Sequence, residues 1–174
     1  MKNKNFIWDL LVRYVILIIV AFSGLSIFYL IFSPLTIYPV YLLLGVFYSV
    51  ALEGSSIIIK DISIDLIGPC IAGSAYSLLL ILNLATSDIK IKKRIKVLLM
   101  SFSLLLLLNI VRIFILSILA TKSMFYFNLV HMLFWYILSI VFVVAIWFFM
   151  VNKFKIKKIP FYSDLKTLYK LARK

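Results

Sequence analysis

Residues 97–119 read VLLMSFSLLLLLNIVRIFILSIL, an unbroken apolar run that carries one charge, Arg112. At 1.5 Å of rise per residue such a helix is about 35 Å long, enough to cross the ~30 Å hydrocarbon core of a bilayer. Immediately before it stand Lys90, Lys92, Lys93, Arg94 and Lys96, an abrupt basic border of the kind found where a membrane helix leaves the cytoplasm.

The same texture extends in both directions. Of 174 residues, 65 % are hydrophobic, and the mean hydropathy is +1.15. A water-soluble domain of this size cannot hide that much apolar surface. Backbone groups in hydrocarbon must bond within their own segment, and the apolar runs are too long for barrel strands. The expected fold class is all-α: a polytopic transmembrane helical bundle of four or five spans. It forms a single transmembrane domain over 1–151, followed by a basic tail over 152–174.

The other spans are expected at 14–32, 67–86 and 127–151, the first ending before Ser33-Pro34. The basic opening resembles a signal peptide, but 14–32 is too long for a cleaved one and reads as an uncleaved anchor. A stretch at 38–52 is only about fifteen residues long. Between it and the next span lie residues 53–65, whose second part, Ile57 to Asp65, alternates apolar and polar side chains, a strand or hairpin signal.

The formal net charge is +13, but the cations are not arranged for nucleic acid. Besides the 90s cluster, eight lie from Lys153 to Lys174, and Lys2, Lys4 and Arg13 lie in the N-terminal stretch. This is the positive-inside pattern, with the 90s loop and the tail cytoplasmic. Working back from the tail, 127–151 runs outward to inward, 97–119 inward to outward and 67–86 outward to inward, so 53–65 is external. Two readings remain for 38–52. A full crossing puts the N-terminus outside; a re-entrant or interfacial segment, which its shortness favours, puts it inside with four spans. In the tail, Pro160 ends any continuous helix and Ser163 is the expected cap of a new one. That helix would set Leu165, Leu168, Tyr169 and Ala172 on one face, with Lys166, Lys170 and Arg173 elsewhere, and would lie on anionic lipid headgroups.

The sequence has one cysteine, and no Cys/His cluster has metal-ligand spacing. No phosphate-binding or dinucleotide fingerprint occurs. No metal or organic cofactor is expected.

Ionisable groups inside spans are costly and read as functional by default. The expected topology puts three of them at one depth. Cys70 lies about three residues inside the outer end of its helix, and His131 four residues inside the outer end of the last one. Arg112 is seven residues before Leu119, about 10 Å deep. They are the only cysteine, the only histidine and the only mid-span arginine. Such a set permits acyl transfer. Cys70 is the nucleophile, and His131 takes its proton and returns it to the leaving amine. Arg112 stabilises an oxyanion or a substrate carboxylate. Asn109, at i−3 from Arg112, shares its face and is the candidate to orient the guanidinium or donate to the oxyanion.

Three patches, in order, resemble the exosortases and archaeosortases: Gly68-Pro69-Cys70-Ile71-Ala72-Gly73, then Asn109-Ile110-Val111-Arg112-Ile113, then Phe127-Asn128-Leu129-Val130-His131 with an aromatic-rich span after it. The resemblance implies a membrane cysteine transpeptidase or protease with Cys70, Arg112 and His131 as its catalytic set. Its substrates would be secreted proteins ending in a recognition motif, one transmembrane helix and a basic end. They would be cleaved at the outer face through a Cys thioester and passed to an acceptor, most readily a lipid. Two other classes compete. In a small transporter or channel, Arg112 and His131 would bind an anion or relay protons; a non-catalytic secretion partner would need none of the three.

Overall fold

The computed structural model describes residues 2–22, 24–60 and 62–172. Helix α1, Lys2–Phe22, gives way at Gly24, which adopts φ +61°, to α2, Ser26–Gly45. Three short strands follow: β1 (Val50–Glu53), β2 (Ser56–Ile59) and β3 (Ile62–Asp65). A one-turn helix α3 (Gly68–Ile71) leads into α4 (Gly73–Leu84), and the long α5 spans Ile91–Lys122. Next comes a rod made of α6 (Met124–Leu133), one π-helical turn (Phe134–Leu138) and α7 (Ser139–Lys153). The last described element is α8, Tyr162–Ala172.

Among the described residues three helices are long and apolar enough to cross a membrane: Ser26–Gly45, Ile91–Lys122 and Met124–Lys153. Gly73–Leu84 is apolar but shorter. Large apolar side chains such as Leu30, Phe148 and Ile140 project outward from them, a surface that suits lipid and not water. Inside, α5 is the central helix and touches α2, α4, α6 and α7. Phe32 stacks on Tyr76 with ring centroids 3.6 Å apart, and Phe102 meets both rings edge-on. These rings fasten α2, α4 and α5 together at mid-height.

The N-terminal half departs from the spans expected at 14–32 and 38–52. No break occurs at Ser33-Pro34; Pro34 and Pro39 both lie inside α2. Each proline removes one backbone donor, but helix remains the cheapest state for the rest of the backbone where no water is at hand. The chain turns instead at Gly24, a conformation that costs glycine little. The end of the 38–52 stretch is not helical at all: Val50, Ala51 and Leu52 form β1. Residues 53–65 form strands as the alternation predicts, in two hairpins. The order is β1-β2-β3, all antiparallel, with Leu52 opposite Ile57 and Ile57 opposite Ile64. Ile57 and Ile59 fill the buried face.

One end of the bundle is held by arginines. Arg94 donates to the carbonyls of Asn83 and Thr86, and Asn83 donates back to the Arg94 carbonyl; the last turn of α4 would otherwise leave those acceptors bare. Arg13, almost wholly buried, donates to the Leu84 carbonyl at 2.9 Å and forks onto Asp164 at 2.9 and 3.1 Å. Phe161 N–H adds a bond to Ala85 O. The first helix, the end of α4, the start of α5 and the tail helix therefore meet at one end, and the sheet lies at the other.

The tail also differs from expectation. Pro160 does separate α7 from α8, but Ser163 is not the cap: it sits within the first turn, and its Oγ accepts from Ile159 N–H at 2.9 Å. The face of α8 turned to the bundle carries Asp164. Leu165, Leu168 and Tyr169 face outward. Arg173 lies outside the described residues.

Candidate active site

Cys70 sits in a turn built for close packing. Pro69 starts α3, where a missing N–H costs nothing. Ala72 then takes the left-handed conformation, φ 62° and ψ 37°, which stops α3 and restarts the chain as α4. Gly68 and Gly73 flank this turn, and the Tyr29 ring of α2 presses on both. A Cβ at Gly73 would lie 2.6 Å from a Tyr29 ring carbon, and one at Gly68 would lie 3.1 Å from another. The glycines therefore let α2 approach the cysteine turn. Cys70 itself is half-buried; its N–H donates to Ile67 O, and its carbonyl accepts from Asn109 Nδ2 at 2.8 Å.

Arg112, one turn beyond Asn109 on α5, is 5 % exposed. Its Nη1 is 3.5 Å from Ser139 Oγ, and its guanidinium lies 5.8 Å from the centroid of the Phe134 ring. Phe134 opens the π-helical turn and Ser139 directly follows it. Ser139 sends its backbone N–H and its hydroxyl, at 2.7 Å, to the same Phe134 carbonyl. The widened turn thus fixes Ser139 and Phe134 beside the arginine, as single π turns inside α-helices commonly do at functional positions. Arg112 Nε has no partner, nor has Ser117 Oγ, and both are buried.

His131, on α6, is half-buried between Phe127, stacked at 5.3 Å and 20°, and Trp135, edge-on at 5.8 Å and 78°. The spacing of four residues in each direction puts the three rings on one helix face.

One cavity of about 230 Å³ unites these elements. Its first wall is β3 with the turn that follows, carrying Cys70. Its second is α5, carrying Arg112 and Ser117. Its third is α6, carrying Phe127 and His131, with Trp135 of the π-helical turn that continues it. Arg112 is within electrostatic reach of both Cys70 and His131. The three residues expected to act together thus line one space. Asn109 is not among the residues lining it; its side-chain amide instead holds the cysteine turn by the Cys70 carbonyl. Ser139, Phe134, Tyr29 and Ser117 escaped the sequence reading. Only the paired glycines around Cys70 hinted at one of them, since two glycines four or five residues apart in an apolar segment signal a close neighbour.

Chemically the cavity is lined by a thiol, a fixed cation and an imidazole, and two buried hydrogen-bonding atoms of its lining residues lack protein partners. Among the described residues no three His, Cys, Asp or Glu side chains converge in a way that could hold a metal ion. The chain matches no protein-family model, no curated protein and no solved structure.

Proposed function

We propose that this protein is a membrane cysteine transpeptidase, similar to the exosortases and archaeosortases. It would cut the C-terminal sorting signals of secreted proteins and hand the new carboxyl end to an acceptor. The single observation that supports this reading is the common cavity shared by Cys70, Arg112 and His131, contributed by three separate elements of the fold.

In this reading His131 takes the Cys70 proton as Sγ attacks the carbonyl carbon of the scissile peptide bond. The carbonyl oxygen becomes an anion beside Arg112, whose charge is permanent. The C–N bond then breaks, the departing nitrogen takes the proton from His131, and the acyl group stays on Sγ as a thioester. An incoming amine or hydroxyl, deprotonated by the same imidazole, attacks the thioester, forms an amide or ester and releases the thiol. Phe127 and Trp135 hold the imidazole plane throughout, and Asn109 holds the nucleophile's turn.

We read the topology as four crossings. α1 and α2 together make one broken crossing, and α3 with α4 makes a second, short one. α5 and the α6–α7 rod complete the set. Arg13, the 90s cations and the tail share one end, which supports reading both terminal segments as cytoplasmic. The sheet and Cys70 then lie at the outer face, where the recognition motif of a membrane-anchored substrate emerges.

Intact cells expressing the protein test this directly. A membrane-impermeant maleimide should label Cys70 from outside, and His131→Gln should slow the labelling. Label that enters only from the cytoplasmic side, or a rate indifferent to His131, would defeat the reading. Cys70→Ala separates it from a transporter, which would keep its flux.

A further inference from the structure

The tail carries a second feature, remote from the cavity just described. α7 ends at Lys153 with Lys155 in the left-handed conformation, φ 49°, and Ile156 N–H bonded back to Val151 O. The chain then folds over into α8. Between the connecting segment and α8 lies a cleft of about 360 Å³, lined by Lys157, Lys158, Lys166 and Lys170, with the hydroxyls of Ser163 and Thr167 between them. No carboxylate lines it. Asp164 is buried on Arg13, while Asp88 pairs with one of the four, Lys158, at 3.2 Å; Lys157, Lys166 and Lys170 have no carboxylate partner among the described residues.

Four lysines would ordinarily repel one another apart on a free tail. Here they are held together, because Asp164 and Phe161 pin α8 to the bundle through Arg13 and the Ala85 carbonyl. We propose that this cleft binds the phosphate headgroup of an anionic phospholipid in the leaflet on the Arg13 side. The cleft supplies positive charge to a phosphate, with the Ser163 hydroxyl, which accepts from Ile159 N–H, keeping its own proton to donate; the Thr167 hydroxyl is already given to the Ser163 carbonyl at 2.8 Å. The same segment supplies what a soluble anion would not use: Ile159, Phe161, Leu165 and Tyr169 project outward, 43–66 % exposed, directly beside the lysines. Apolar side chains and cations on one short helix are satisfied together only where headgroups meet acyl chains. The site is independent of the transpeptidase reading and stands if that reading fails.

The test uses the full-length protein in detergent, with bound lipid counted by native mass spectrometry. Phosphatidylglycerol should bind with clear preference over phosphatidylcholine. Removing Lys166 and Lys170 together (Lys166→Gln, Lys170→Gln) should weaken phosphatidylglycerol binding about thirtyfold, at roughly fivefold per lysine. Removing the same charge at the same end, by Lys92→Gln with Lys96→Gln, should cost less than threefold. Equal losses in the two double variants would reduce the effect to general surface charge and overturn the site. So would equal binding of the two lipids. Millimolar inorganic phosphate should leave bound phosphatidylglycerol in place; displacement by phosphate would assign the lysines to a soluble anion instead. All these residues are exposed, and thermal unfolding of each variant confirms that the fold is retained.

Discussion

Asn109 on α5 and Cys70 on α3 are joined by one hydrogen bond, Nδ2 to carbonyl oxygen, at 2.8 Å. It is the direct polar link between the helix that bears Arg112 and the turn that bears the thiol. Replacing Asn109 by Ala strands a carbonyl in an apolar setting, at a cost of about 1–3 kcal/mol. The expected outcome is a lower unfolding temperature together with slower labelling of Cys70 by maleimide. Asn109→Gln, which keeps a donor, should recover part of both. A variant that unfolds earlier but reacts at the parental rate would show that the bond serves stability alone.

Ser139→Ala removes the hydroxyl that stands between Arg112 and the Phe134 carbonyl. A hydrogen bond to a charged group contributes about 1.5–3 kcal/mol, so processing of a substrate should fall at least tenfold. Ser139→Thr, which restores the hydroxyl, should recover most of it. Measured initial rates decide the matter; an Ala variant within twofold of the parent would remove Ser139 from the arginine's support.

Gly73 is expected to tolerate no side chain. The Cβ of Gly73→Ala would be 2.6 Å from the Tyr29 ring, and overpacking of this kind costs about 1–3 kcal/mol. Pairing it with Tyr29→Ala should return more stability than the two single losses would add up to. A double-variant cycle read by thermal unfolding measures that coupling. Strictly additive losses would mean that the ring and the glycine do not press on each other.

Asp164→Ala leaves Arg13 buried with only Asp9 and a backbone carbonyl. Breaking one half of a buried pair typically costs about 3–5 kcal/mol. The tail should detach, and limited proteolysis should then cut within 154–161 at least tenfold faster. Unchanged cleavage would show that α8 is held by its other contacts.

How much of this was legible in the sequence depended on what each residue faced. The helix Ile91–Lys122 was plain, because its basic border and apolar run are local signals that no tertiary contact overrides. Residues 56–65 were plain too, since alternation has only one common structural meaning. Val50–Leu52 misled because three apolar residues at the end of an apolar run carry no period of their own, and strand or helix is decided by pairing with Ile57–Ile59. Pro34 misled for a different reason: the rule that proline ends a helix assumes water stands ready to take the freed carbonyl. At the site, Cys70, Arg112 and His131 stood out because each is chemically rare in its surroundings. Ser139 did not, since a serine gains its place from a π-helical turn that nothing in Phe134–Leu138 announces.

The pairing of Arg13 with Asp164 spans 151 positions, and this separation bears on biogenesis. A ribosome releases residue 13 into the membrane long before residue 164 exists, so through most of translation the guanidinium waits with its principal counter-ion unmade. Helix α8 seals α1 only after everything between them has been made, and a nascent chain halted before residue 164 would carry an open latch, visible to whatever machinery inspects unfinished membrane proteins.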